Sequence, residues 1–99
     1  MANYVLTNEA IRDLSNIWNY TFETWSERQA DIYYSMLIEH FQLIASNPSL
    51  GKNYNNISPH LFGLKAKRHI IFYRRPINES IQIIRILHQR MDLKKRVNN

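Results

Sequence analysis

Two helical repeats of apolar residues follow one another between Thr7 and Asn47, with almost no chain between them. The first comprises Ala10, Ile11, Leu14, Ile17, Trp18, Thr21, Phe22 and Trp25, and the second Ala30, Tyr33, Tyr34, Leu37, Ile38, Phe41, Ile44 and Ala45. Spacing by three and four residues puts each set on one face of a helix, so we expect these side chains, the aromatic ones included, to be mainly core. Asp13 falls on the opposite, polar face.

Capping residues mark where the two helices begin. Thr7 or Asn8 can cap the first helix, with Glu9 in its first turn, and the sequence SERQ at residues 26–29 matches a capping box for the second. The sequence NPSLG at residues 47–51 ends that second helix. Two helices joined so tightly predict an αα-hairpin with one shared apolar side.

Extended segments lie on both sides of the hairpin. NYVLT at residues 3–7 precedes it, and LFGLKAK at 61–67, HIIFYRR at 69–75 and IQIIRILH at 81–88 follow a polar loop at 52–60, with a turn at 76–80. We therefore predict one α+β domain over residues 1–99, with an N-terminal strand and the αα-hairpin packed on one face of a three- to four-stranded antiparallel sheet. A basic C-terminal tail completes the chain.

Alternation divides the last strand into two partly apolar faces. Ile81, Ile83, Arg85 and Leu87 are predicted on one face, and Gln82, Ile84, Ile86 and His88 on the other. Such a strand needs cover on one side and partial cover on the other. Arg85 is then a cation whose burial requires a partner.

Charge is unevenly distributed along the chain. Residues 1–51 contain six acids and two bases, a balance of −4, whereas residues 52–99 contain eleven bases and two acids, a balance of +9. A basic half of this kind attracts polyanions, either nucleic acid or an acidic protein, although a solvated basic face explains it equally well.

Several classes of site are disfavoured by composition. The chain has no cysteine, which excludes disulfides and thiolate chemistry, and its two glycines, Gly51 and Gly63, form no phosphate-binding loop. The four histidines lack the spacing of paired metal ligands, so we expect no metal and no cofactor. With no leader sequence and no membrane span in view, a cytoplasmic protein is expected.

Cations and one histidine on the predicted strands form the best candidate for chemistry. Lys65, Lys67, Arg68, Arg85, His88 and Arg90 could hold a scissile phosphate, with His88 transferring a proton. A metal-independent ribonuclease also needs a second proton carrier, and the sequence shows no Glu or Asp between residues 52 and 78 and no Tyr after Tyr73. Catalysis is therefore the weaker interpretation of His88.

Five ordered segments resemble the ParE toxins of the RelE/ParE superfamily. They are DLSNIWNYT at residues 13–21, WSERQA at 25–30, NPSLGK at 47–52, RHIIFYR at 68–74 and IIRILHQRMD at 83–92. The resemblance covers nearly the whole chain. Two positions depart from the usual pattern, since Ser26 stands where Gly is common and Lys52 where Arg is usual.

The resemblance implies the toxin of a bacterial type II toxin–antitoxin system, of β-α-α-β-β-β fold. Such a toxin traps DNA gyrase on cleaved DNA and blocks replication, as in plasmid stabilisation, and a ParD-like antitoxin neutralises it in a toxin–antitoxin hetero-oligomer. No catalytic residue, membrane contact or sequence-specific nucleic-acid binding is expected.

Two sets of binding residues are expected from the resemblance together with the charge pattern. The target-binding set is His88, Gln89, Arg90, Met91, Asp92, Leu93, Lys94, Lys95 and Arg96, with Met91 and Leu93 as apolar anchors. The set for an acidic, partly disordered antitoxin tail is Trp18, Phe22, Tyr34, Arg68, Arg74 and Arg75.

Two alternatives to gyrase inhibition stay open. A RelE-like ribosome-dependent mRNA endoribonuclease would use Lys65, Lys67, Arg68, His88 and Arg90, although the chain lacks the C-terminal Tyr and the Glu that such relatives use. The other is a non-toxic relative that only binds antitoxin.

Overall fold

A computed structural model describes residues 3–76 and 80–98. Its elements, in chain order, are β1 (Tyr4–Leu6), α1 (Asn8–Thr24), α2 (Glu27–Ser46), a short 3₁₀ turn (Pro48–Leu50), β2 (Lys52–Asn53), β3 (Phe62–Ala66), β4 (His69–Arg74), β5 (Ile81–His88) and α3 (Leu93–Asn98). Within these residues no helix is both long and apolar enough to cross a membrane.

The predicted helical hairpin is confirmed, and its caps explain where each helix begins. The Thr7 hydroxyl accepts a hydrogen bond from the Ala10 amide (3.1 Å) and donates one to the Ile84 carbonyl of β5 (2.8 Å). The Ser26 hydroxyl accepts from the Gln29 amide (3.1 Å). Each cap satisfies an amide that the first turn would otherwise leave unpaired. The Thr7 cap also fixes α1 against the sheet.

The sheet is five-stranded, in the order β1-β5-β4-β3-β2. The α+β fold with the hairpin on one sheet face is thus confirmed, with two differences in strand composition. First, the predicted loop at 52–60 contributes the two-residue strand β2. Second, β1 pairs parallel to β5, because the helical hairpin returns the chain to the end of the sheet where β1 stops, and the four strands that follow alternate in direction. The predicted turn at 76–80 includes residues 77–79, which lie outside the described residues.

A register shift in β5 corrects the predicted division of its faces. Arg85 pairs with Phe72 and Ile83 with Tyr73, so Ile84 is an extra residue opposite β4. Such a bulge reverses the alternation beyond it. Ile81, Ile83 and Ile86 consequently belong to the core beneath the helices, whereas Leu87 belongs to the opposite face.

Both faces of the sheet are covered. Under the helices, Leu37, Phe41 and Ile44 of α2 pack on Ile71 and Ile83. A second cluster on the other face contains Leu61, Ile70, Phe72 and Leu87, and Tyr54, Ile57, Leu93 and Val97 pack against it. The predicted basic tail therefore includes the helix α3, whose Leu93 and Val97 cover the sheet face opposite the helical hairpin.

The end of the helical hairpin is less buried than its apolar pattern predicts. Trp25 is 63% exposed and Tyr34 is 41% exposed, while Trp18 and Tyr33 are half-buried. Trp25 follows the last residue of α1. Trp25 thus lies at the junction of the two helices, whereas Tyr34 follows Tyr33, which contacts His69 of the sheet, on the exposed side of α2.

Candidate functional site

An apolar groove runs between α1 and α2. Its volume is about 440 Å³, and it is lined by Ile11, Leu14, Ser15, Trp18, Asn19, Asp31 and Tyr34. Ile11 is 54% exposed there. Beside the groove, the ring of Phe22 stacks on that of Trp18 at a centroid distance of 5.3 Å. The three aromatic residues predicted to contact an antitoxin, Trp18, Phe22 and Tyr34, thus lie together.

A polar contact fixes the wall of this groove. The Trp18 indole Nε1 donates a hydrogen bond to Asp31 Oδ1 at 3.0 Å, across the two helices. The indole is held in place before any partner arrives, which lowers the entropic cost of binding. Asp31 also adds a negative charge to the lining of the groove.

A cluster of Tyr33, His69 and His88 lies at the end of the sheet beneath the hairpin. The Tyr33 hydroxyl is 2.6 Å from His69 Nδ1 and accepts the Arg68 amide at 3.3 Å. His69 pairs with His88 across the strands, and their rings meet edge to face at 5.4 Å. The Arg90 amide donates to His88 Nδ1 at 3.1 Å.

The cluster shifts the acidity of its members. Burial, followed by repulsion from His88, lowers the pKa of His69 from 6.5 to about 4. Burial also raises the pKa of the Tyr33 phenol. His69 is therefore neutral near pH 7, and we assign the proton between the two groups to the Tyr33 hydroxyl. Among the described residues, no group of three or more His, Asp or Glu side chains is arranged to hold a metal ion.

Arg85 has the partner that its burial requires. Its Nε and Nη2 donate to the two carboxylate oxygens of Asp13 at 2.7 and 2.9 Å, and its Nη1 donates to the Arg96 carbonyl at 2.9 Å. Asp13 also accepts the Ile86 amide at 3.0 Å, and its bonds to the guanidinium raise the pKa of Arg85. Asp13 thus joins α1 to the sheet, which corrects its expected place on the solvent face of α1.

The segment after β5 is more ordered than a solvated tail. The Gln89 amide donates to the Arg68 carbonyl at 3.0 Å, and the Asp92 carboxylate accepts the Lys95 amide at 3.2 Å, at the start of α3. Met91 is 42% exposed and free to act as an anchor. Leu93 is half-buried and packs on the second cluster instead, and its role as an apolar anchor for the target stays a prediction.

The three arginines expected to contact an antitoxin do not form one surface. Arg68 precedes β4 and Arg75 follows it, so the strand separates them by about 20 Å. Arg74 donates to the Ser58 hydroxyl at 2.7 Å, and the Arg75 guanidinium lies 5.8 Å from the centre of the Phe62 ring. Arg68 is the member of this set that lies near the hairpin, through the bond between its amide and Tyr33.

The residues proposed for a ribonuclease are divided between the two faces of the sheet. Cross-strand partners project from the same face. Lys65 pairs with Ile70 of the second cluster, whereas His88 pairs with His69, whose other partner Ala66 lies in the core beneath the helices. Lys65 and His88 therefore cannot act on one phosphate.

Three polar residues of the site were missed by sequence reasoning: Tyr33, His69 and Asp31. Tyr33 and Asp31 fall in a helix whose pattern predicts only core and solvent positions. Pairing His69 with His88 requires the bulge at Ile84, since regular alternation from the Arg74 and Gln82 pair would place Leu87 opposite His69. The available signal was the position of the two histidines, with His69 at the start of one predicted strand and His88 at the end of the next.

Known proteins resemble this chain over nearly its full length. The sequence model of the family described as "ParE toxin of type II toxin-antitoxin system, parDE" matches residues 4–93. Toxin ParE1 of Mycobacterium tuberculosis is 35% identical over 92 residues, which cover 93% of this chain and 94% of the relative. Toxin ParE of Escherichia coli is 31% identical over 97 residues, covering 98% and 94% respectively.

A solved structure shares the fold. The structure titled "Chromosomal ParDE TA system from P. aeruginosa" superposes with a TM-score of 0.77, covering 89% of this chain and 96% of that chain at 19% sequence identity. The family match, the two relatives and the arrangement of a helical hairpin on a mixed sheet agree. The chain belongs to the ParE toxin family of type II toxin–antitoxin systems.

Proposed function

We propose that this toxin inhibits DNA gyrase by binding, and that it stabilises the cleaved-DNA complex of that enzyme rather than cutting a substrate itself. The observation that carries the proposal is the separation of Lys65 from His88 by the sheet, so that the complete set of residues predicted for a ribonuclease is not assembled on one face of the described sheet. The resemblance to ParE toxins supplies the target.

The segment from His88 to Arg96 is the proposed gyrase-binding surface. Arg90 and Met91 are exposed members of this segment that precede α3, whereas Leu93 is half-buried against the sheet. Arg90 can donate charge-assisted hydrogen bonds, and Met91 can enter an apolar pocket of the target.

A ParD-like antitoxin is the proposed partner of the groove between α1 and α2. The structural relative from P. aeruginosa is titled a ParDE system, which supports an antitoxin for this family. Trp18, Phe22 and Tyr34 offer exposed aromatic area, and Arg68 is the nearest arginine of the predicted set for an acidic side chain of the antitoxin. The complex is a toxin–antitoxin hetero-oligomer in this proposal.

Purified toxin added to gyrase and plasmid DNA tests the target. We expect linear, protein-linked plasmid to accumulate, and Arg90→Ala with Met91→Ala to reduce it at least tenfold at equal toxin concentration. Deletion of the chain after Leu87 is a poor test, because it uncovers the second cluster. Topoisomerase IV in place of gyrase identifies the preferred target. No cleaved plasmid with either enzyme contradicts the proposal.

Antitoxin binding is tested by titration calorimetry with the antitoxin encoded beside the toxin gene. Trp18→Ala should weaken binding more than tenfold, since it removes both the stacked ring and the bond to Asp31. Trp25→Ala is the matched control, because Trp25 is an exposed tryptophan outside the groove. Equal losses from both substitutions would place the antitoxin at the hairpin tip instead.

An endoribonuclease is the second candidate, and one observation favours it. The pairing of His69 with His88 supplies a second imidazole, which the sequence alone did not reveal. New 5′ ends within codons, detected by primer extension after induction and lost in His88→Ala, would support this function. Normal growth on expression without the antitoxin would instead identify the third alternative, a non-toxic relative.

A further inference from the structure

Exposed cations gather around the β3–β4 turn and the segment that follows β5. We call this the basic surface and define it as Lys65, Lys67, Arg68, Arg90, Lys94 and Lys95. All six side chains are exposed. The pair of Asp13 and Arg85 is the one ion pair found in the described part of the chain, so none of the six is neutralised by a carboxylate there.

The topology explains why these residues lie together. The bond from the Gln89 amide to the Arg68 carbonyl places the β3–β4 turn beside the segment that holds Arg90. Lys65 shares its sheet face with Ile70 of the second cluster, and α3 lies on that same cluster through Leu93 and Val97. The remaining residues of α3, including Lys94 and Lys95, therefore face solvent on the same side as Lys65.

Acidic and apolar groups are nearly absent from the basic surface. Asp92 is its neighbouring acid, and its carboxylate accepts the Lys95 amide. Met91 is the one strongly exposed large hydrophobic residue in the described chain from residue 52 onward. Protein interfaces have an apolar centre, whereas nucleic-acid interfaces are polar and positively charged. The composition of the basic surface therefore suits a polyanion, in addition to the gyrase contact proposed for the segment from His88 to Arg96.

The placement of aromatic residues distinguishes duplex from single-stranded nucleic acid. Proteins that bind single strands stack bases on exposed aromatic rings. Within residues 3–76 and 80–98, the strongly exposed aromatic residues are Tyr20, Phe22, Trp25 and Tyr34, and all four lie on α1, α2 or their junction. The basic surface thus offers charge without stacking, which suits the regularly spaced phosphates of a duplex.

We propose that the basic surface binds the phosphate backbone of duplex DNA without reading its sequence. Since α3 has only six residues, and two of them pack inward, it cannot fill a major groove and reach base edges. Lys67 lies in the β3–β4 turn with a φ of 56°, a conformation in which glycine is preferred. This proposal rests on the proposed function, because the polyanion is taken to be DNA on the ground that DNA is the substrate of gyrase.

Fluorescence anisotropy with a labelled 20-base-pair duplex and the full-length toxin, without gyrase or antitoxin, tests this binding. Six phosphate contacts predict a slope of roughly −5 for the logarithm of affinity against that of salt concentration, or roughly a 10³-fold loss between 50 and 200 mM salt. Lys94→Gln with Lys95→Gln should reduce the slope by about 2. A second duplex of unrelated sequence should bind equally.

The matched control is Arg12→Gln with Arg28→Gln, which removes the same charge from exposed positions on α1 and α2. It should leave the slope unchanged, and circular dichroism checks that both double variants fold. Four results would overturn the proposal: no saturable binding at 50 mM salt, equal losses in the two double variants, equally tight binding of single-stranded RNA, or equal competition by polyglutamate. The anisotropy measurement contains no gyrase. Its result would therefore be the same if gyrase were not the target of the toxin.

Discussion

Replacement of Arg85 by alanine tests how the two covers of the sheet are joined. The guanidinium makes two charge-assisted hydrogen bonds to Asp13 and one to the Arg96 carbonyl. The side chains of Arg85 and Asp13 are only 18% and 13% exposed. In Arg85→Ala, the Asp13 carboxylate would keep only the Ile86 amide as a donor.

The size of the effect follows from this burial. Breaking a fully buried pair costs about 3–5 kcal/mol, whereas an exposed pair contributes about 0–1 kcal/mol. The Asp13 and Arg85 pair lies nearer the buried limit, so we expect a loss of about 3 kcal/mol. For a chain of this length, that lowers Tm by roughly 12 °C.

Urea unfolding, combined with hydrogen exchange of the α3 amides, measures both consequences. Exchange in α3 should accelerate in Arg85→Ala beyond the global change, because α3 loses the anchor at Arg96. Arg12→Ala, an exposed neighbour of Asp13 on α1, should cost less than about 0.5 kcal/mol. Asp13→Asn should partly offset Arg85→Ala, so that the double variant loses about 2 kcal/mol less than the sum of the two. A loss below about 1 kcal/mol, or strict additivity, would refute the reasoning.

Three further predictions concern the Tyr73 hydroxyl, the packing at Gly51 and the protonation of His69. Tyr73→Phe should lower the free energy of unfolding by about 2 kcal/mol, because the Tyr73 hydroxyl donates to the Pro48 carbonyl (2.6 Å) and accepts from the Gly51 amide (2.9 Å). Tyr20→Phe, at an exposed ring, is the control and should lower it by less than about 0.5 kcal/mol in the same urea titration. Gly51→Ala should cost about 1–3 kcal/mol, since its Cβ would lie 2.7 Å from Tyr73 Cε1; stability unchanged from the parent would contradict this packing. The pKa of His69 is lowered to about 4, so the unfolded chain binds more protons between pH 6.5 and 4 and stability falls as pH drops through that window. The full change in the pKa of His69 corresponds to about 3 kcal/mol of stability, and solvent screening at this partly exposed ring reduces the expected loss to about 1–2 kcal/mol. His69→Gln should abolish this loss of stability between pH 6.5 and 4.

The helical hairpin could be predicted because its signals are local. The apolar spacing of each helix and the caps at Thr7 and Ser26 depend only on residues a few positions apart. The same spacing overestimated the burial of Trp25 and Tyr34, since periodicity identifies a helix face but not how far the neighbouring sheet extends along it.

The contacts that assemble the site depend on partners distant in sequence. Asp13 and Arg85 are 72 residues apart, and their pairing requires β1 to end before Ile86, so that α1 reaches the open edge of β5. The bulge at Ile84 likewise arises from the pairing of β4 with β5. The predicted chemistry of His88 lacked a neighbour for the same reason, since His69 becomes adjacent only after that shift in register.

Both tryptophans of the chain belong to the helical hairpin, and none lies in the sheet or in α3. Intrinsic tryptophan fluorescence therefore reports on one layer of the molecule. The indole of Trp18, stacked on Phe22 and bonded to Asp31, should change its emission when a partner fills the groove, whereas Trp25 contributes the signal of a solvent-exposed fluorophore. Detachment of α3 would leave this spectrum unchanged. Tryptophan fluorescence therefore does not detect the loss of α3 from its face of the sheet while the helical hairpin stays packed on the opposite face.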